Sequence, residues 1–210
     1  MILFNMEEPS AIIPVIPLFM LKGQGLESRN NGNIAFDVSY RLSGIGSFYS
    51  EFLIDDVSEP ASLFNDFWKN KWAWMIGGHV VKDIGKYQAG FIVEYSRVEP
   101  WVYTHYVPGT AQSANHGYPL GNQLGPNSQV FTNKLYIRDG LGWYVGLKFD
   151  LIWKGEDYGS DIEDYRADQA KREDGTDFTK EFIAGVGSPN ILFTPEVSYS
   201  FVYCSISSQM

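Results

Sequence analysis

The residues of this chain best suited to chemistry lie between positions 99 and 129, where Trp101, Tyr103, His105, His116, Tyr118 and Asn122 are strung among glycines and prolines. Aromatic rings stack on the C–H faces of sugars, and His and Asn supply directional hydrogen bonds, so these residues form a candidate glycan-contacting group. The competing reading gives the same rings a packing role in a loop shaped by its Gly and Pro residues. His105 and His116 stand eleven apart with no Cys or HxxH spacing nearby, so neither a metal site nor a cofactor is expected. Asp55 and Asp56 are adjacent on an extended run and face opposite ways, which suits a turn cap better than a shared acid–base pair. No GxSxG, Walker, GxGxxG or HExxH pattern occurs, and Cys204 is a lone thiol with no catalytic partner visible in sequence.

A loop of this kind needs a rigid carrier, and composition says which. With 16% aromatic residues and 21 Gly, the chain favours sheets joined by tight turns. Its 210 residues suit one domain or a piece of one. Lys+Arg number 16 against 25 Asp+Glu, so there is no basic surplus for nucleic acid or for a polybasic membrane anchor. The acidic stretch from Glu156 to Asp177 reads as an exposed, solvated loop. The longest apolar stretch, Ala11 to Leu21, contains Pro14 and Pro17. It falls short of the roughly 20 residues of a spanning helix. The N-terminus has no basic region of the secretory kind, which leaves either an internal protein or a fragment whose export signal lay upstream.

The apolar period is two almost throughout. Trp143, Val145, Leu147, Phe149, Leu151 and Trp153 alternate with Tyr144, Gly146, Lys148, Asp150 and Ile152. Similar alternation predicts strands over 33–42, 46–56, 71–81, 87–98, 130–138, 141–154, 179–187 and 190–203. Short Gly-containing links at Ser43-Gly44-Ile45 and Asp139-Gly140 read as hairpins, while 57–70, 99–129 and 155–178 are long connections. Helix is minor: a short one from Ser58 to Phe67 and a polar one over 161–173.

A soluble β-sandwich would show the same alternation. Strand length and aromatic placement favour lipid instead. Trp143 and Trp153 bracket an aliphatic run on one face, ten positions apart. On tilted strands that is about 25 Å along a membrane normal, the height of an outer-membrane apolar band. The expected fold is all-β: an antiparallel up-and-down transmembrane β-barrel, or part of one, of about eight strands. Phe36, Val38, Val145, Leu147, Phe149 and Phe201 should face lipid, and segment 99–129 should fold over or into the barrel.

Three runs carry a family likeness: Tyr49-Ser-Glu-Phe-Leu-Ile-Asp-Asp56, Glu94-Tyr-Ser-Arg-Val-Glu-Pro-Trp-Val-Tyr-Thr-His105 and Gly117-Tyr-Pro-Leu-Gly-Asn-Gln-Leu-Gly-Pro-Asn127. With Pro14-Val-Ile-Pro17-Leu-Phe and Asn33-Ile-Ala-Phe-Asp37 upstream, the chain resembles the capsule assembly Wzi family from about residue 9 to about 154. The resemblance implies a non-enzymatic barrel in the outer membrane of a Gram-negative-type bacterium. Its implied partners are capsular or surface polysaccharide and outer-membrane lipid. Members of that family are longer, so the chain looks like a C-terminal portion, with 1–32 continuing from an upstream part, 33–203 in the barrel and 204–210 a tail. Other strands or chains would then close the barrel. A general porin-like or structural barrel is the alternative, and a soluble β-sandwich enzyme or carbohydrate-binding module the second.

Overall fold

The computed structural model describes residues 2–5, 31–57, 60–105, 114–115, 118–119, 121–156, 159–162, 179–183, 185–186 and 188–200. Its strands are β1 (Ile2–Asn5), β2 (Asn31–Leu42), β3 (Gly46–Asp56), β4 (Lys71–Ile84), β5 (Tyr87–Val98), β6 (Ala114–Asn115), β7 (Tyr118–Pro119), β8 (Ser128–Asp139), β9 (Trp143–Lys154) and β10 (Asn190–Tyr199). All except β6 and β7 form one antiparallel up-and-down sheet in the order β1-β2-β3-β4-β5-β8-β9-β10. Its seven long strands run ten to fourteen residues, beyond the ~5–6 usual in soluble sheets. Among the described residues the sheet is open, since β1 pairs only with β2 and β10 only with β9.

Short links and long ones segregate to opposite rims. At the hairpin rim, β4 and β5 join through Gly85-Lys86, where Gly85 takes φ 62, a first-position conformation that glycine adopts without strain. Between β8 and β9, the Asp139 carboxylate accepts the backbone N–H groups of Leu141 and Trp143. The described residues of the connections 57–70, 99–127 and 155–189 meet at the other end, the loop rim.

Two expectations fail here. Among the described residues of 179–187 no strand forms: Thr179 makes an isolated bridge to Phe67, and Ile183 (φ 57) and Gly185 (φ 79) leave extended backbone. The eighth member of the sheet is instead β1. The helix from Ser58 to Phe67 shrinks to a 3-10 turn, Pro60–Ser62, and 163–178, with most of the polar helix expected over 161–173, lies outside the described residues.

Register sorts the side chains into two unlike faces, because partners in an antiparallel pair point the same way. On the first face lie Phe36, Val38 and Tyr40 of β2, Phe48 of β3, Val80 of β4 and Phe91 of β5. Leu135 and Ile137 of β8, Val145 and Leu147 of β9, and Phe193 and Val197 of β10 continue it. All are exposed: Val38 by 62%, Leu135 by 60%, Val197 by 69%. No second sheet covers them among the described residues, so the sandwich expectation finds no partner layer. Phe149 is half-buried against Phe193, and Phe201 lies outside the described residues. The second face carries Arg41, Tyr49, His79, Glu94, Thr132, Lys134, Tyr136, Lys148, Asp150 and Glu196.

Candidate functional site

At the loop rim the chain after β5 turns back over the polar face. Val102 and Tyr103 pack against Ala73 and Val98, with Leu53 and Ile162 beside them, in a buried apolar cluster. A β-bulge between Ile54 and Asp56 makes the turn possible. Bulges re-aim side chains, and here the buried Asp55 carboxylate accepts the backbone N–H of Tyr103 at 2.7 Å. Asp56 caps the following turn by accepting the N–H of Val57. The two carboxylates therefore do separate structural jobs.

The sequence-nominated residues divide as follows. Trp101 and Tyr103 are 3% and 5% exposed. Trp101 stands edge-on to Trp68 and donates its backbone N–H to the carbonyl of Gly159, where any Cβ would strike the indole. The Tyr103 hydroxyl accepts the N–H of Asn122, whose own amide donates to Ser96. Stacking a sugar needs an open ring face, and in this fold neither Trp101 nor Tyr103 has one; both lock the cap. His105 follows them, half-buried. Tyr118 pairs its backbone with Asn115 in the β6–β7 ribbon, while its side chain and His116 lie outside the described residues. The structure thus brings together Trp101, Tyr103 and Asn122, as an interlock.

The interlock holds strained backbone. Trp101 and Tyr103 both have φ 70, a region that costs a bulky residue ~1–3 kcal/mol and persists only where surroundings over-determine it. Those surroundings include groups that motif reasoning missed. Asn127, fully buried at φ 52, donates its backbone N–H to Glu99, accepts from Gly155, donates its side-chain amide to Ser160 and accepts from Ile183. Glu99 sits between Arg97 at 2.6 Å and Lys180 at 2.7 Å, with both Glu99 and Lys180 buried. The Arg97 guanidinium lies 3.7 Å over the Phe182 ring. Burial holds the Lys180 ammonium below its ordinary pKa despite Glu99, and burial pushes the Tyr103 phenol above its own. Segment 155–162 is only partly the solvated loop expected. Glu156 and Asp161 are exposed, but Gly155, Gly159 and Ile162 are buried in the cap.

The polar face beyond the cap carries several groups of side-chain hydrogen bonds and ion pairs. Tyr49 donates to Glu94, passing over Gly77. Tyr136 shares a 2.8 Å hydrogen bond with His79, passing over Gly90. Lys134 and Tyr144 both reach Glu196 across the sheet, and Asp150 takes Lys148 and Thr132. A Tyr-over-Gly crossing recurs because a side chain can lie flat on the sheet only where the intervening residue has no Cβ. Among the described residues, no three His, Cys, Asp or Glu side chains come close enough to hold a metal.

Comparison with family models, curated proteins and solved structures finds no match to this chain.

Proposed function

We propose that the chain is a non-enzymatic wall segment of an outer-membrane β-barrel that serves surface-polysaccharide attachment. One observation carries the membrane part: one face of the long strands is apolar and uncovered, with Phe36, Val38, Val80, Phe91, Leu135, Val145 and Leu147 exposed on it, while the charged residues Glu94, Lys134, Lys148, Asp150 and Glu196 lie on the opposite face. A soluble sheet buries its apolar side chains against a second layer. Lipid is the solvent that accepts an exposed face of Phe, Val, Leu and Ile. Aromatics at both ends support the reading. Tyr87, Trp143 and Tyr199 stand near the hairpin rim, and Trp72, Trp74, Tyr95 and Trp153 near the loop rim, with aliphatic residues between them. An open sheet cannot stay open in lipid, so further strands complete the wall. The polysaccharide part rests on the likeness to the Wzi family. A porin-like barrel would share the wall, and conductance separates it.

The test is reconstitution into vesicles containing lipids brominated at mid-chain. Tryptophans at both rims should be quenched less than they are by headgroup-proximal bromines, with protection of the long strands from protease. A chain that stays soluble and monomeric without detergent refutes the membrane reading. Loss of surface capsule in cells lacking the protein, without new ion conductance in bilayers, supports attachment over a pore.

A further inference from the structure

Lys134 and Lys148 are direct cross-strand partners on the polar face. Like charges placed opposite one another in a sheet oppose folding, and this chain has acidic residues to spare at net charge −9. Cations nevertheless gather on that side: Lys134 and Arg138 on β8, Lys148 and Lys154 on β9. Acids gather across the face, with Asp37 on β2, Glu51 on β3 and Glu94 on β5. Tyr136 and Tyr144 stack beside the lysine pair at 5.6 Å, with Lys134 over the Tyr144 ring.

The two counter-ions of the pair differ. Asp150 is 3% exposed at its side chain and held by Thr132 as well as Lys148, so it is fixed. Glu196 sits on β10, the last strand of the described sheet, is 30% exposed at its side chain, and meets Lys134 at 2.7 Å and Tyr144 at 3.0 Å. It is the carboxylate that an incoming one can replace.

We infer that Lys134 and Lys148, with Tyr144 alongside, form a carboxylate-binding subsite for acidic sugar units, with Glu196 as its resident competitor. The inference rests on the polysaccharide reading and specifies its ligand class as uronic-acid-containing chains. A ligand carboxylate takes the place of Glu196 on Lys134 and the Tyr144 hydroxyl. The charge-assisted contacts are the strong ones here, so binding weakens as salt rises.

The experiment measures binding of alginate, a polyuronate, and of dextran, a neutral polymer, to the detergent-folded protein. Folding of each variant is checked by far-UV circular dichroism. Lys134→Gln with Lys148→Gln should weaken alginate binding about tenfold or more, the loss of one to two charge-assisted bonds, and leave dextran unchanged. Glu196→Gln should strengthen alginate binding, a gain that a merely structural Glu196 would not give. Lys134→Arg should retain it. Alginate and dextran bound equally by the wild type, or weaker alginate binding in Glu196→Gln, overturns the subsite but leaves the polysaccharide reading standing. Binding of neither polymer overturns both.

Discussion

Glu99 is the residue on which the loop rim turns. Its carboxylate is buried between Arg97 and Lys180, and Lys180 also donates to the carbonyl of Asn70. Removing one partner of a buried ion pair leaves the other charge desolvated and unpaired. Glu99→Gln should therefore destabilise the cap by roughly 3–5 kcal/mol, whereas Glu99→Leu with Lys180→Met should cost far less. Hydrogen exchange at the amides of Trp101 to Thr104 reads the difference. Tyr103 supplies a pH signature. Burial is the main cause of its raised pKa, with Asp55 and Glu51 adding to it and the Asn122 N–H partly offsetting it. A folded pKa above the unfolded value of 10 means that its contribution to stability is whole below pH 10 and is lost as pH rises through the folded value. Lys180 acts in the opposite sense, because its lowered pKa makes folding easier as pH climbs towards 10.5. The difference isolates the phenol: relative to wild type, Tyr103→Phe should flatten the alkaline loss of cap stability.

At the scale of elements, the strands were legible because each keeps one period long enough to be unmistakable. The run over 179–187 misled because its alternation was genuine but served another purpose. Phe182 stacks on Arg97 and Lys180 reaches Glu99, so the segment straps the rim without joining a ladder. That the loop after β5 would fold back was readable from its Trp, Tyr, Gly and Pro content. Its anchors were not, since Asp55 and Tyr103 are 48 positions apart and Lys180 and Asn70 are 110 apart, and no local pattern announces such a meeting. The same distance explains why Trp101 and Tyr103 looked like ligand contacts: sequence shows the ring and hides the Gly159 and Asn122 that cover it. The bulge in β3 gives this a test. Deleting Asp55 lets Ile54 and Asp56 follow one another on Trp72 and Lys71, so the β3–β4 ladder survives. The N–H of Tyr103 loses its acceptor, a cost of about 1–3 kcal/mol. Exchange protection should persist across β3 to β5 and fall over 99–104.

For the whole molecule the question is what lies against its apolar face, and substitution on the two faces of one strand answers it. Leu135 and Thr132 belong to β8; Leu135 partners Phe91 and Leu147 on the apolar face, and Thr132 partners Glu94 and Asp150 on the polar one. If lipid covers the first face, Leu135→Arg places a guanidinium near mid-bilayer, which costs roughly 2–4 kcal/mol in barrel strands. Thr132→Arg adds a cation between two carboxylates on a face that already manages charge, so its cost should be much smaller, limited to the lost Thr132–Asp150 hydrogen bond. In water the order reverses, because an exposed Leu→Arg change on an uncovered face is nearly neutral and removes a patch prone to self-association. Folding yield and urea midpoint in vesicles against those in detergent-free buffer distinguish the two solvents. A Leu135→Arg variant that folds into vesicles as readily as Thr132→Arg would take the apolar face out of the membrane. The exposed Phe, Val and Leu side chains would then belong to a protein–protein surface.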